Sequence, residues 1–128
     1  MSDESFHLVA CGMNQQKSGR WPAKDLYTSR RFTSTRNDLE RSGQTWFILS
    51  TVHGLVAPND LKEPYDRSLD SFDGASAQAW AQQVRDKLLT LKPTPKEVIF
   101  HDTVKFRQVL SAPLSDLLKI NGIKVHRA

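Results

Sequence analysis

The feature that most constrains this chain is a hydrophobic run that ends abruptly in small polar residues. The segment WFILSTVHGLV covers residues 46–56 and opens with four large apolar side chains. A short apolar run of this kind is typical of a strand that is covered on both faces of a sheet. The run continues into Ser50, Thr51, His53 and Gly54. The sequence therefore predicts a buried strand that leads directly into a polar site.

Apolar runs alternate with helical patterns along the chain. The runs predict strands at residues 6–11, 45–50, 97–101 and 123–127. Apolar residues three and four apart predict helices at residues 26–43, 75–92 and 103–120. Pro113 should kink or split the last helix, and we expect irregular connections at residues 12–24 and 57–74. Over 128 residues, this alternation predicts a single three-layer, Rossmann-like α/β domain with a mostly parallel sheet of four or slightly more strands.

The predicted strands all end in small or polar residues. In sheets of this kind, ligands bind at the carboxyl ends of the strands, so these residues mark a candidate site. We predict His53 as an acid or base, with Ser50 and Cys11 as further catalytic candidates. The predicted substrate contacts near these strand ends are Gly12, Thr51 and Gly54. The alternatives are that His53 caps a turn and that Cys11 is a small hydrophobic residue of the core.

The positive charge of the protein is concentrated in one segment. The chain has a net charge of +4, and residues 17–41 alone carry seven basic and three acidic residues. Trp21, Tyr27 and Phe32 lie among them, and such mixtures can contact phosphates and stack on bases. A solvated helix face whose aromatic residues point into the core is the alternative. The candidate phosphate- or nucleic-acid-binding residues are Lys17, Arg20, Arg30, Arg31 and Arg36.

Several protein classes are disfavoured by what the sequence lacks. One cysteine cannot form an internal disulfide, and the four histidines have no metal-ligand spacing, so we predict neither a metal nor a cofactor. No Gly-x-Ser-x-Gly elbow and no phosphate-loop motif occurs. The apolar runs are too short to span a membrane, and the first residues do not resemble a secretory signal. We therefore expect a cytoplasmic protein without membrane contact.

Three stretches together resemble one family. They are LVACG, PAKDLYTSRRFTSTR and WFILSTVHGLVAPNDLKEPYDRSL. Their order and spacing, over about residues 6–69, are similar to the YaaA family of peroxide-stress proteins and its shorter bacterial and phage relatives. The matching positions are Cys11, Gly12, Ala23, Leu26, Tyr27, Ser29, Phe32, Arg36, Ser50, His53, Gly54, Leu55, Pro58, Pro64, Tyr65 and Asp66.

The resemblance implies an α/β fold and a link to nucleic acids or nucleobases. Its peroxide-stress members associate with DNA, and another branch converts a nitrile on a 7-deazaguanine base. We therefore expect an enzyme acting on a base or nucleoside, in which Lys24 holds phosphate and Tyr27, Tyr65 and Asp66 complete the substrate pocket. The alternatives are a non-catalytic DNA- or RNA-binding protein that uses residues 17–41 and a small, phage-type module that binds a protein partner.

Overall fold

A five-stranded, mostly parallel sheet forms the centre of the computed structural model, which describes residues 4–128. Its strands lie in the order β4-β3-β1-β6-β7. The parallel strands are β1 (Ser5–Ala10), β3 (Thr45–Ser50), β6 (Glu97–His101) and β7 (Lys124–Arg127). The antiparallel edge strand is β4 (Gly54–Val56). A separate two-stranded ribbon pairs β2 (Trp21–Pro22) with β5 (Leu61–Lys62).

Helices cover both faces of this sheet. On one face lie the short α1 (Ala23–Leu26) and α2 (Arg30–Arg41), and on the other lie α3 (Gly74–Thr90) and the helical run that follows β6. That run comprises α4 (Val104–Phe106), a π-helical turn (Arg107–Ser111) and α5 (Ala112–Ile120). A 3₁₀ turn spans Leu69–Ser71. Within residues 4–128, no helix is both long enough and apolar enough to cross a bilayer.

The alternation of side chains along the strands divides the core in two. Along β1, Leu8 and Ala10 pack against α3 and α5, whereas Val9 faces the layer of α1 and α2. In β3, Leu49 and Ile48 separate in the same way. Because successive side chains of a strand point to opposite faces, a continuous apolar run fills both cores. The predicted α/β fold with a mostly parallel sheet is therefore confirmed.

The structure corrects several predicted boundaries. The sheet contains a further strand, β4, where we predicted only a polar site after β3. The expected loop at residues 12–24 contains β2 and the first half of α1. Within the expected helix at 26–43, α1 ends at Leu26 and α2 begins only after its cap, Ser29. Pro113 does not break the last helix, because it lies in the first turn of α5 directly after the π-helical turn, where the regular ladder is already interrupted.

The connections place a switch point at β1. From β1 the chain passes through α2 to β3 on one side, and from α3 it returns to β6 on the other side of β1. The two crossovers leave a crevice outside the carboxyl ends of β1 and its neighbours. In open parallel sheets, ligands bind in this crevice.

Candidate functional site

A cavity of about 240 Å³ occupies the crevice at the switch point. It lies beside Cys11 and Gly12, which follow β1, Thr51, which follows β3, and Thr103, which comes shortly after β6. The remaining lining residues are Met13, Gln15, Ser29, Arg31, Tyr65, Asp66, Arg67, Leu69 and Phe106. The cavity therefore brings together residues that are up to 95 positions apart in the chain.

A chain of buried hydroxyl groups stands behind the cavity wall. The Ser50 Oγ atom accepts hydrogen bonds from the backbone N–H groups of Val52 (3.2 Å) and His53 (3.0 Å). It also lies 2.8 Å from the Tyr65 hydroxyl, which in turn lies 2.6 Å from the Tyr27 hydroxyl. With both N–H groups bound to its lone pairs, Ser50 donates its own hydrogen to Tyr65. Ser50 thus fixes the turn after β3 and holds Tyr65, and it does not itself line the cavity.

Tyr65 is held through its backbone as well as through its hydroxyl. The Gln15 side-chain amide donates to the Tyr65 carbonyl oxygen and accepts from the Tyr65 N–H, both at 3.1 Å. Next to it, the Thr51 hydroxyl donates to the carbonyl oxygen of Arg67 at 3.0 Å. These three bonds attach residues 65–67 to the ends of the strands, so this wall of the cavity is held in place without a secondary-structure element.

Burial keeps the weakly acidic groups of the site protonated. It raises the pKa of the Cys11 thiol, although contacts with the Thr51 backbone, the Tyr65 hydroxyl and Arg31 oppose the shift. Burial also raises the pKa of Tyr27 to about 12, and it raises the pKa of Tyr65. At neutral pH, Cys11 is therefore a thiol and both tyrosines are hydrogen-bond donors. A nucleophilic role for Cys11 requires a base that removes its proton.

The start of α2 provides the positive end of the cavity. Ser29 caps this helix by accepting from the N–H of Phe32, and the Arg31 guanidinium donates to the Ala10 carbonyl oxygen at 2.8 Å. Gly12 permits this packing, because a Cβ atom there would lie 2.9 Å from the Ser29 Oγ atom. Within residues 4–128, Arg31 has no carboxylate partner in an ion pair, and the first two N–H groups of α2 have no acceptor. These donors and the helix dipole favour an anion.

The carboxyl end of β6 is held by a buried ion cluster. Asp102 is almost fully buried and pairs with Arg107 at 3.2 Å and with Arg127 at 2.6 Å. Thr103 caps the following helical run by accepting from the N–H of Phe106. Asp102 therefore anchors the element that carries Thr103 and Phe106 to the cavity, although it does not line the cavity itself.

His53 lies on the other side of Tyr65. It lines a separate, open depression together with Arg20, Leu61 and Lys62, and its ring meets Tyr65 edge-on, with the ring centroids 5.4 Å apart. Burial and the charges of Lys62 and Lys87 lower the pKa of His53. The prediction that His53 shares a pocket with Cys11 is therefore wrong. The turn after β3 reverses the chain into β4, and this reversal carries His53 away from the cavity.

Two further substrate candidates serve the fold. Gly54 begins β4 with a φ of +70° and packs against Val84 of α3, so its lack of a side chain serves the tight turn. Tyr27 is buried beneath Tyr65 and contacts it through the two hydroxyl groups. Neither residue lines the cavity, whereas Gly12, Thr51, Tyr65 and Asp66 do.

The basic segment divides into paired and exposed residues. Lys24 lies 4.0 Å from Glu40, and Arg36 forms ion pairs with Asp25 (3.2 Å) and Glu40 (3.3 Å). The segment's aromatic residues Tyr27 and Phe32 are buried in the core, and Trp21 is partly exposed. Of the predicted phosphate-binding residues, Arg31 lines the cavity and Lys17, Arg20 and Arg30 are exposed. Nucleic-acid binding by this segment stays a prediction, and its paired charges and core aromatics do not favour it.

Comparison with known proteins gives one match. A family model described as "Family of unknown function (DUF6884)" matches residues 6–125. The chain belongs to this family. The matched residues include β3, β4 and β6, most of β1, the first half of β7 and every residue that lines the cavity. No curated protein matches the chain. No solved structure matches it either.

Some lining residues carry weak sequence signals of their position near the site. Ser29 and Thr103 each stand directly before a helical pattern, which is the favoured position of a helix cap. Caps of helices that follow parallel strands lie at the carboxyl edge of the sheet, so both could have been placed near the site. Gln15 and Arg67 offer no such signal, because their positions depend on how two irregular segments pack together.

Proposed function

We propose that this protein binds a small phosphorylated nucleoside in the switch-point cavity. The observation that carries the proposal is the convergence of Arg31, the Ser29 hydroxyl and the free N–H groups of α2 on a cavity whose other walls are largely apolar. A nucleotide combines an anionic group with a flat, largely apolar base. Few other small metabolites combine the two so compactly.

The phosphate fits the end of the cavity formed by α2. A helix N-terminus offers backbone donors and a favourable dipole to an anion, and a guanidinium binds phosphate through two parallel hydrogen bonds. Arg31 keeps most of its donors available, since one of its NH₂ groups is engaged with Ala10. Its position, fixed by that bond, lowers the conformational cost of binding.

Other lining residues of the cavity suit a base. Met13, Leu69 and Phe106 offer apolar contacts, and Asp66 offers a carboxylate that accepts hydrogen bonds from exocyclic or ring N–H groups. Ligand pockets usually measure about 300–1,000 Å³, and a volume near 240 Å³ lies just below that range. This size supports a base or a mononucleotide as ligand and disfavours a dinucleotide. The resemblance to a family linked with nucleobases points in the same direction.

An enzymatic form of the proposal would rest on Cys11 and Asp66. These are the lining residues with a thiol and a carboxylate, while His53 lies outside the cavity. A protonated thiol and a carboxylate in the wall of one cavity suit proton transfer to or from a bound base or, after deprotonation of the thiol, attack on an electrophilic carbon of the base. Replacing Cys11 by Ala should then abolish turnover and leave nucleotide affinity within about twofold.

Calorimetric titration tests the binding proposal. The ligands are the four common nucleoside 5′-monophosphates, their nucleosides and inorganic phosphate. We expect at least one monophosphate to bind more tightly than both its nucleoside and phosphate. The Arg31→Met variant should weaken this binding by about 10- to 100-fold, because a charged hydrogen bond contributes about 1.5–3 kcal/mol.

Arg30→Met is the matched control. Arg30 is the neighbouring residue in the first turn of α2, but it is exposed and does not line the cavity. It should bind like the wild type. The proposal fails if no monophosphate binds at millimolar concentration, if none binds more tightly than its nucleoside, or if the two variants lose affinity equally.

A further inference from the structure

A second group of chemically active side chains lies on a half of the sheet that the helices leave open. His7 of β1 and His101 of β6 project from the face that carries α1 and α2. Across β6, the side chains of Glu97, Ile99 and His101 on this face are only half-buried, whereas Val98 and Phe100 on the opposite face are buried. Solvent therefore reaches the two histidines from the β6 side.

The two imidazole rings face each other directly. The Nδ1 atom of His7 lies 2.8 Å from the Nε2 atom of His101, and the ring centroids are 5.0 Å apart. At this distance, one nitrogen donates a hydrogen bond to the lone pair of the other. Either ring can be the donor, so the pair shares one hydrogen and keeps one free lone pair between its facing nitrogens.

The two rings cannot both be charged in this arrangement, because only one hydrogen fits between nitrogens that lie 2.8 Å apart. The charged groups near His101 are Arg31 and Asp102, and the Asp102 carboxylate is already paired with Arg107 and Arg127. The two imidazoles lie on neighbouring strands, form no ion pair with a carboxylate within residues 4–128, and bring two ligand nitrogens close together.

We propose that His7 and His101 form a two-histidine site for a divalent transition metal of the Zn²⁺, Ni²⁺ or Cu²⁺ type. Imidazole nitrogens suit these ions, whereas Mg²⁺ and Ca²⁺ prefer oxygen. Two nitrogens bound to Zn²⁺ at about 2.0–2.1 Å with a tetrahedral angle lie about 3.3 Å apart. Small side-chain rotations that move the two nitrogens apart by about half an ångström widen their present distance of 2.8 Å to that value.

Metal binding changes the position of one proton. The hydrogen now shared between the two facing nitrogens leaves that position, and the ring that held it takes up a proton at its other nitrogen. Both facing nitrogens then donate lone pairs, and the net charge of the protein is unchanged. Residues 4–128 contain no group of three metal-ligating side chains, so water completes the coordination.

Titration with Zn²⁺, followed by the ring signals of the four histidines in NMR spectra of the wild-type protein, tests this site. We expect one equivalent of Zn²⁺ to shift the signals of His7 and His101 and to leave those of His53 and His126 in place. Mg²⁺ should shift none of them. With Cu²⁺, the electron paramagnetic resonance spectrum should show hyperfine splitting from two imidazole nitrogens.

Variants separate this site from other histidines. His7→Ala and His101→Ala should each weaken Zn²⁺ binding by more than about tenfold in calorimetry. The control His126→Ala removes an exposed histidine on the same face of the neighbouring strand, where it pairs with Glu97, and should bind as the wild type does. Zn²⁺ that shifts His126 or His53 first, or that shifts no histidine at millimolar concentration, would overturn the proposal. The readout needs no nucleotide, so it is independent of the proposed function.

Discussion

Tyr65 separates two concave regions that differ in construction. On one side lies the switch-point cavity, formed by three strand ends and the start of α2, with wall residues fixed by Ser50, Gln15 and Thr51. On the other side lies the depression beside His53, which the short ribbon of β2 and β5 borders. The depression is open and is bordered by the exposed residues Arg20 and Leu61. The first region has walls that are held by hydrogen bonds, and the second is an open surface recess.

The difference shows how far a residue's position in a strand predicts its place in a site. Thr51 and His53 both follow β3 within three residues, yet they face opposite sides of Tyr65. The turn that Ser50 holds and Gly54 permits reverses the chain between them. A strand end therefore locates the edge of the sheet, whereas the following turn determines which residue faces the cavity.

The largest expected effect comes from removing the side chain that separates the two regions. Tyr65→Ala should lower the free energy of unfolding by about 3–5 kcal/mol, since it deletes a large buried ring. Tyr65→Phe should cost about 1–3 kcal/mol, because it leaves the Ser50 and Tyr27 hydroxyls without their common partner. Urea unfolding measures both values. A Phe variant as stable as the wild type would show that the hydroxyl chain does not hold the wall.

Alkaline pH should lower the free energy of unfolding through Tyr27, which is buried on the cavity side of the molecule. Burial raises the pKa of Tyr27 from the usual 10.0 to about 12, so folding favours the protonated phenol. This contribution to stability is complete below pH 10 and is lost as the pH rises through about 12. A pKa difference of this size corresponds to about 3 kcal/mol. Unfolding free energies measured between pH 8 and 12 should fall over that range, and Tyr27→Phe should fall less steeply. Equal slopes for both proteins would contradict the assignment.

A smaller effect is expected at the contact between the β1 loop and α2. Gly12→Ala places a Cβ atom 2.9 Å from the Ser29 Oγ atom and should cost about 1–2 kcal/mol of stability, because one of the two must move. Ser29→Ala alone should cost about 1 kcal/mol through the lost cap. The double variant should lose less stability than the sum of the two single losses, because the oxygen atom that the new Cβ atom would meet is gone. Strict additivity in unfolding experiments would show that the contact is not close.

The smallest effect is expected on the open side. His53→Ala should change the free energy of unfolding by less than about 1 kcal/mol, since the ring is half-exposed and packs edge-on against Tyr65. Affinity for a nucleoside monophosphate should stay within about twofold of the wild type. A tenfold loss of affinity with unchanged stability would place the ligand beside His53 and not in the switch-point cavity.

The sequence predicted the parallel sheet well and the irregular parts poorly. The strands at Thr45–Ser50 and Glu97–His101 match their predicted bounds, because a dense apolar run can only be buried in the sheet. β4 was missed because three residues that follow a polar turn look like the continuation of a loop. The break before Ser29 was missed because apolar spacing continues across it.

The site was predicted in part for the same reason. Cys11, Gly12 and Thr51 follow strands directly, so the rule for parallel sheets places them at the cavity that the structure contains. Gln15 and Arg67 lie in irregular segments, and their places depend on tertiary hydrogen bonds that no local pattern encodes. The roles of all these residues in binding or catalysis stay predictions.

Mapping the bound ligand by ¹H–¹⁵N NMR tests the central claim most directly. Adding a nucleoside 5′-monophosphate should shift the backbone amide signals of Gly12, Arg31 and Thr103, which belong to three separate elements around the cavity. The signals of Lys62 and Glu63, in the depression beside His53, should stay in place. Shifts confined to Lys62, Glu63 and His53, or an unchanged spectrum at millimolar ligand, would contradict the assignment of the cavity as the ligand site.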